Sequence, residues 1–204
     1  MFDALIIGGG AAGMSCALVL GSAQNKAFAK NKRIGIIMHQ KSSHLQNALF
    51  NNVLGLTPGT TGATILEEGK EQLTTQYPHV VQVENEKVSE ITKTEAGYTI
   101  LTNKETYQTK CVVIAVGYTN LLGIKGLENY IEPHPRAVKE KDRIWLKNID
   151  HKIEEGLYVA GTLAGWRSQF AIASGSGAQV ATDILTLWNN GVHTKAHDKV
   201  HDKV

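Results

Sequence analysis

The run Ala4-Leu5-Ile6-Ile7-Gly8-Gly9-Gly10-Ala11-Ala12-Gly13 passes from four apolar residues, without alternation, straight into a cluster of glycines. A short, wholly apolar run predicts a strand covered on both faces, and the small residues that follow, as far as Leu20, predict a helix. Strand, tight turn, helix is the expected order. After a polar loop rich in Lys, Asn and Ala, Arg33 to Met38 forms a second apolar strand. Its distance completes a β-α-β unit with a buried parallel pair.

Further along, Ile65, Leu66, Gly69 and Leu73 recur near helical spacing and predict a helix over 64–76, behind the loop that runs from Leu56 to Gly62. Four β-like runs follow: Val80 to Val83, Val88 to Thr94, Tyr98 to Thr102 and Thr106 to Lys110. Asn85, Ala96-Gly97 and Asn103-Lys104 separate them, and the last three suit an antiparallel meander. Cys111 to Val116 lacks alternation and ends at Gly117, which predicts another strand of the central sheet. Residues 120–155 are the least patterned and read as a surface excursion. Leu157-Tyr158-Val159-Ala160 re-enters the core and meets Gly161-Thr162, and a long small-residue helix is expected from Phe170 to Leu187. The segment from His193 to Val204, with His-Asp-Lys-Val twice, reads as a frayed polar tail.

Composition narrows the class. A chain of 204 residues with 42% hydrophobic residues is long enough to bury a core in one domain, and it is neither collagen, coiled coil nor disordered. Its 21 basic against 19 acidic residues argue against nucleic acid as a partner. No apolar stretch approaches the roughly 18 to 20 residues that span a bilayer, and no basic segment precedes the first apolar run. The expectation is a cytoplasmic protein with no membrane partner. Cys16 and Cys111 form no C-x-x-C, so no zinc site, disulfide framework or local dithiol is written here, and both read as small core residues. His193, His197 and His201 recur every four residues, as metal ligands on one helix face would, but their polar tail favours solvated side chains. No metal is expected.

Gly8-x-Gly10-x-x-Gly13 has a mechanism: one glycine for the tight turn, one where backbone must approach a pyrophosphate, and one for close packing of helix on strand. The acidic residue that usually holds the ribose hydroxyls is missing, since no Asp or Glu occurs between Asp3 and Glu67. Two explanations compete. Gln40 or backbone groups satisfy the ribose of FAD, or Lys41 with Ser42 and Ser43 receives the 2′-phosphate of NADP.

The combination of Gly8 to Gly13, the meander, Val113-Ile114-Ala115-Val116-Gly117 and Gly156-Leu157-Tyr158-Val159-Ala160-Gly161-Thr162 resembles the FAD-binding domain of the thioredoxin reductase-like pyridine nucleotide-disulfide oxidoreductases. The resemblance covers residues 2–190. It implies an α/β fold, a Rossmann-like parallel sheet with an antiparallel β-meander, in which residues 1–190 form one FAD-binding domain and 191–204 a polar tail. The family's Ala-Thr-Gly corresponds to Ala115-Val116-Gly117, its Ala-Gly-Asp to Ala160-Gly161-Thr162, and its Gln-Ala to Gln169-Phe170. Thr162 thus keeps a hydroxyl where the family has a carboxylate.

The implied cofactor set is Gly8, Gly10, Ala11, Ala12 and Gly13 at the first turn, then His39, Gln40 and Lys41 after the second strand. Asn51 and Asn52 would lie beside the flavin ring, with Val88 in the meander, and Ala115, Gly117, Gly161 and Thr162 at the ends of core strands. Gln169, Phe170 and Ala171 would present the N-terminus of the last helix to the flavin edge where negative charge collects on reduction.

In the family a separate NADPH domain is inserted between the strand ending at Gly117 and the strand at Leu157. Here about 40 residues, 118–155, occupy that gap, too few for a dinucleotide-binding domain, and there is no second G-x-G-x-x-G. The resemblance therefore implies a small FAD-dependent oxidoreductase with no identified catalytic residue. Its electrons would come from freely diffusing NAD(P)H, a redox protein partner or a small-molecule substrate oxidised directly. An NADP-binding reductase using Lys41 and Ser42, and a flavin-binding regulatory module without turnover, stay open, as does a homodimer. A tRNA-modifying flavoprotein is disfavoured by the small charge surplus. The stretch from Trp166 to Gln169 reads as loop packing, with an aromatic lid as the alternative, and Lys139 to Arg143 as a solvated loop, with a docking site for an acidic electron donor as the alternative.

Overall fold

The computed structural model describes residues 1–39, 43–118 and 122–197. In chain order the elements are β1 (Phe2–Ile7), α1 (Ala11–Ser22), β2 (Ile34–Met38), β3 (Leu49–Phe50), β4 (Thr60–Thr61), α2 (Gly62–Gln76) and β5 (Val81–Glu84). Then come β6 (Val88–Thr94), β7 (Gly97–Thr102), β8 (Thr106–Ile114), β9 (Ile131–Pro133), β10 (Ile144–Leu146), β11 (Lys152–Glu154), β12 (Leu157–Val159) and α3 (Phe170–Trp188). The main sheet runs β11-β12-β8-β1-β2-β5, with β12, β8, β1, β2 and β5 parallel and β11 antiparallel at the edge.

The unalternated strands of the sequence are those covered on both faces. Ala4 and Ile6 of β1 face one core layer with Ile34, Ile36, Cys111 and Val113, and α1 and α3 close it with Cys16, Ala17, Leu20, Val180, Ala181 and Ile184. Leu5 and Ile7 face a second layer with Ile37, Val112 and Ile114, closed by Ile91, Tyr98 and Ile100 of the meander and by Leu127 and Leu146. Each fully buried Leu or Ile contributes about 1.5–3 kcal/mol. The result is helices, parallel sheet and meander in three layers, the α/β class expected.

The meander forms as predicted, with β6 antiparallel to β7 and β7 to β8. One boundary differs. The run from Thr106 to Lys110 and the run that starts at Cys111 are one strand, ending at Ile114, whose first half pairs with β7 and whose second half pairs with β1 and β12. The change from alternating to continuous apolar residues marks a change of surroundings along one strand rather than a break. The helix expected over 64–76 begins two residues earlier, because the Thr61 hydroxyl accepts the Thr64 N–H at 3.1 Å and caps it.

The unpatterned segment is not a surface loop. Ile124, Leu127 and Leu146 are buried in the second core layer, and β9 and β10 form a hairpin. Its strands are three residues long, too short to leave a period in the sequence. Part of the segment expected to fray is docked: Thr194 is buried, its N–H donates to the Thr186 hydroxyl at 3.2 Å, and Ala196 packs on the helical core layer. Among the described residues no helix is long and apolar enough to cross a membrane.

Candidate functional site

The carboxyl ends of the parallel strands meet at one edge. Gly8 N–H donates to Ile37 O at 2.9 Å, Ala115 N–H to Ile7 O at 2.8 Å and Ala160 N–H to Ile114 O at 2.8 Å, so the turns leaving β1, β8 and β12 are tied side by side. In open α/β sheets this edge is where ligands bind.

The three glycines of the first turn have three different surroundings. Gly8 has φ +115, and a β-carbon on it would run into the Ala115 carbonyl. A β-carbon on Gly13 would overlap the Gly8 carbonyl oxygen, so the helix lies on the turn with no room between them. A β-carbon on Gly10 would meet nothing within 4 Å. Gly10 is also the N-cap of α1, with no side-chain capping bond and no acidic residue in the first turn. Space is thus left at Gly10 beside the N-terminus of α1, the positive end of the helix dipole, where the first-turn N–H groups have no intrahelical partner.

Gly161 stands directly against this turn, with φ +78 and a β-carbon position 3.1 Å from that of Ala12. It opens a 3-10 turn, Gly161–Ala164, closed by Gly165. Gly161 N–H donates to the Ser176 hydroxyl oxygen at 2.7 Å, and Ser176 Oγ lies 2.8 Å from His151 Nε2. Trp166 Nε1–H donates to the same His151 nitrogen at 3.1 Å, and the two rings stack at 5.9 Å. An atom that receives the indole N–H carries no proton, so His151 is neutral, with Ser176 donating to Nε2 and the ring proton on Nδ1. Burial lowers its pKa below the ordinary 6.5, and that favours the same form.

At the far end, α3 begins after Gln169, again with no side-chain capping bond and no acidic first-turn residue. Phe50 packs on Phe170 with ring centroids 5.1 Å apart, which places β3 and the following Asn51 and Asn52 beside the start of α3. Asn51 and Asn52 are both exposed, as are Gln169 and Ala171. The Phe50 ring had no motif to announce it in the sequence.

Of the residues anticipated from sequence, Gly8, Gly10, Ala11, Ala12, Gly13, Ala115 and Gly161 converge on one edge. Gly117 lies near it, 3.5 Å from the His44 ring as measured from the place of its absent β-carbon, and Thr162 follows Gly161 in the turn. His39 is exposed at the end of β2, while Gln40 and Lys41 lie outside the described residues, as does Ser42. Val88 is buried in the second core layer, so only its main chain is left for a ligand. His151, Ser176 and His134 were not anticipated; the bonds that join them to the turn and to each other span 15 to 28 residues, and no local spacing reveals them.

The cysteines are core residues, as expected. Both are buried and unpaired; burial raises the Cys16 thiol far above its usual range and pushes Cys111 up to about 11. Among the described residues no group of His, Cys, Asp or Glu could hold a metal ion. Trp166 is 40% exposed, with the Arg136 guanidinium 5.2 Å from its ring centroid, so it is fixed by contacts and is no free lid.

Comparison with known proteins fits this geometry. Residues 2–164 match the family described as pyridine nucleotide-disulphide oxidoreductase. A ferredoxin–NADP reductase of Levilactobacillus brevis is 26% identical over 188 residues, covering 91% of this chain and 50% of that protein. Ferredoxin–NADP reductase 1 of Bacillus cytotoxicus is 29% identical over 181 residues, covering 87% and 45%. The chain therefore spans about half the length of the curated relatives it matches. Among solved structures, an oxidoreductase from Agrobacterium tumefaciens shares the fold with a TM-score of 0.71 at 14% identity, covering 91% of this chain and 98% of that one. A thioredoxin reductase from Gloeobacter violaceus gives 0.71 at 13% identity, covering 97% and 98%. With a shared fold and a family match over residues 2–164, the chain belongs to the pyridine nucleotide-disulphide oxidoreductase family.

Proposed function

We propose that this chain binds FAD and acts as a small FAD-dependent oxidoreductase whose reductant arrives from outside the fold. The observation that carries the reading is Gly10, whose missing side chain leaves open space at an uncapped helix N-terminus while Gly8 and Gly13 are packed shut on either side. That is the arrangement a dinucleotide pyrophosphate needs.

In this reading the N–H groups of Ala11, Ala12 and Gly13 take the pyrophosphate, and the Thr162 hydroxyl replaces the family carboxylate with a neutral donor and acceptor. The start of α3 at Phe170 and Ala171 directs its free N–H groups and dipole toward the ring, favouring negative charge there. When bound, the flavin supplies reversible electron transfer in one- or two-electron steps, and the protein contributes orientation and electrostatics. Residues 122–155 form a hairpin and an edge strand where the family resemblance implies an inserted nicotinamide domain, so NAD(P)H would diffuse in freely or a redox protein would dock. The names of the curated relatives make ferredoxin a candidate for that protein.

The visible spectrum of the purified protein, followed by heat release and chromatography of the bound group, tests this. A yellow protein releasing FAD is expected. A colourless protein that takes up no added FAD overturns the reading, and tight NADPH binding by that colourless protein supports an NADP site instead. Reduction by NAD(P)H is expected to be slow and unsaturated at micromolar cofactor. A bound flavin that neither NADH, NADPH nor reduced ferredoxin reduces anaerobically would make the protein a regulatory module.

A further inference from the structure

Three side chains from the β9–β10 segment converge on the turn that abuts α1. His134 is buried, and its Nδ1 accepts the Arg136 backbone N–H at 3.1 Å. The ring proton is therefore on Nε2, which donates to Thr162 O at 3.0 Å. Arg136 Nη1 donates to Gly165 O at 2.5 Å, and Asn148 Nδ2 donates to Ala164 O at 3.2 Å. The turn itself gives Thr162 O the Gly165 N–H at 3.0 Å, and the β9–β10 segment adds a donor to each of the carbonyls of 162, 164 and 165. The peptide planes of the turn are fixed as a result. Gly161 is thereby held against Ala12, at the start of α1, while Ser176 holds the Gly161 N–H from α3.

We propose that His134, Arg136 and Asn148 are positioning residues that set the affinity and electronic surroundings of the flavin by fixing the 161–165 turn. This rests on the FAD reading above. The segment that stands in place of a nicotinamide domain thus acts as a clamp on the cofactor site. None of the three side chains needs to touch the cofactor, since they act through the turn's main chain.

The test is titration of the apoprotein with FAD, read by flavin fluorescence and by the visible band shape, for the wild type and for His134→Ala, His134→Gln and Arg136→Met. His134→Ala and Arg136→Met are expected to raise the dissociation constant about tenfold and to alter the band shape, each having lost one bond to a charged or polar donor. Gln can reach Thr162 O with its amide N–H, so His134→Gln is expected to recover most of the affinity. Arg136 is exposed and Met retains its aliphatic stem, so that variant folds. Glu86→Ala, in the turn before β6, removes a buried bond to Tyr107 of the meander; it serves as a variant with comparable loss of thermal stability and is expected to retain both affinity and band shape. If the wild type binds FAD while His134→Ala and Arg136→Met bind it unchanged, or if Glu86→Ala weakens binding equally, the clamp is overturned and the FAD reading survives. A folded wild type that takes up no FAD overturns both.

Discussion

Ser176 Oγ accepts the backbone N–H of Gly161 at 2.7 Å, which joins the middle of α3 to the first residue of the turn after β12. The same oxygen lies 2.8 Å from His151 Nε2, and all three residues are buried. One hydroxyl thus serves the helix, the turn and the ring, and the two sides of the site cannot move independently.

Ser176→Ala should leave the Gly161 N–H without a buried partner and remove one donor from His151. The expected cost is about 1–3 kcal/mol, the desolvation penalty of an orphaned buried group. Chemical denaturation of the two proteins measures it, and a change below about 0.5 kcal/mol would show that water replaces the hydroxyl.

Gly13→Ala and Gly10→Val should separate fold from binding. A β-carbon at 13 would overlap the Gly8 carbonyl, so Gly13→Ala is expected to cost about 3 kcal/mol, the upper end of ordinary overpacking. Gly10 has φ −84 and open space around it, so Gly10→Val should keep the thermal midpoint of the flavin-free wild type and lose its cofactor. A folded Gly10→Val protein with full flavin content would place the cofactor elsewhere.

Acid should act through His151. Burial holds its pKa below 6.5, against a smaller opposing pull from Asp150 and Asp183. The folded protein then binds fewer protons than the unfolded chain between the lowered value and 6.5, so this stability is complete above 6.5 and is lost as pH falls through that window. His79, whose pKa burial also lowers, adds to the slope in the same direction. Thermal midpoints between about pH 7.5 and about pH 5 should fall for the wild type and fall less for His151→Gln. Equal slopes would remove His151 from the account.

Neither cysteine should react in the native protein. Cys16 and Cys111 are buried, and burial raises both thiols above the range in which thiolate forms near neutral pH. A chromogenic disulfide reagent at about pH 8 should find no fast-reacting thiol until denaturant is added, when both should respond. Fast reaction of one thiol in folded protein would contradict the burial.

Glu86 is a buried carboxylate that accepts the Thr102 hydroxyl at 2.7 Å and the Tyr107 hydroxyl at 3.1 Å. Glu86→Ala leaves the Tyr107 hydroxyl unpaired, while the Thr102 hydroxyl keeps Glu105 O at 3.0 Å, and should destabilise the protein by about 1–2 kcal/mol. Burial first, and the Glu86 carboxylate second, push the Tyr107 pKa up to about 12, so the variant should also ionise this tyrosine at lower pH in an ultraviolet titration.

Much of the architecture was legible because burial leaves a pattern. Ala4 to Ile7, Arg33 to Met38 and Leu157 to Ala160 lack alternation since both faces of those strands are covered, and Gly8-x-Gly10-x-x-Gly13 follows β1 where the turn requires it. The break placed between Lys110 and Cys111 failed because a single strand changes neighbours there, and pattern alone reads a change of neighbours as an end. The hairpin β9–β10 and the buried Leu127 and Leu146 escaped because strands of three residues show no period.

The sequence by itself determined the parallel sheet, the meander and the glycine turn, since backbone conformation and alternating burial act over neighbouring residues. Only the tertiary structure decided that Gly10 faces open space while Gly13 is packed shut, although both are glycine, because that depends on what stands opposite. It alone brought His134 to Thr162, Arg136 to Gly165 and Ser176 to Gly161, since a hydrogen bond between distant residues is chosen by packing and has no spacing for a sequence to display.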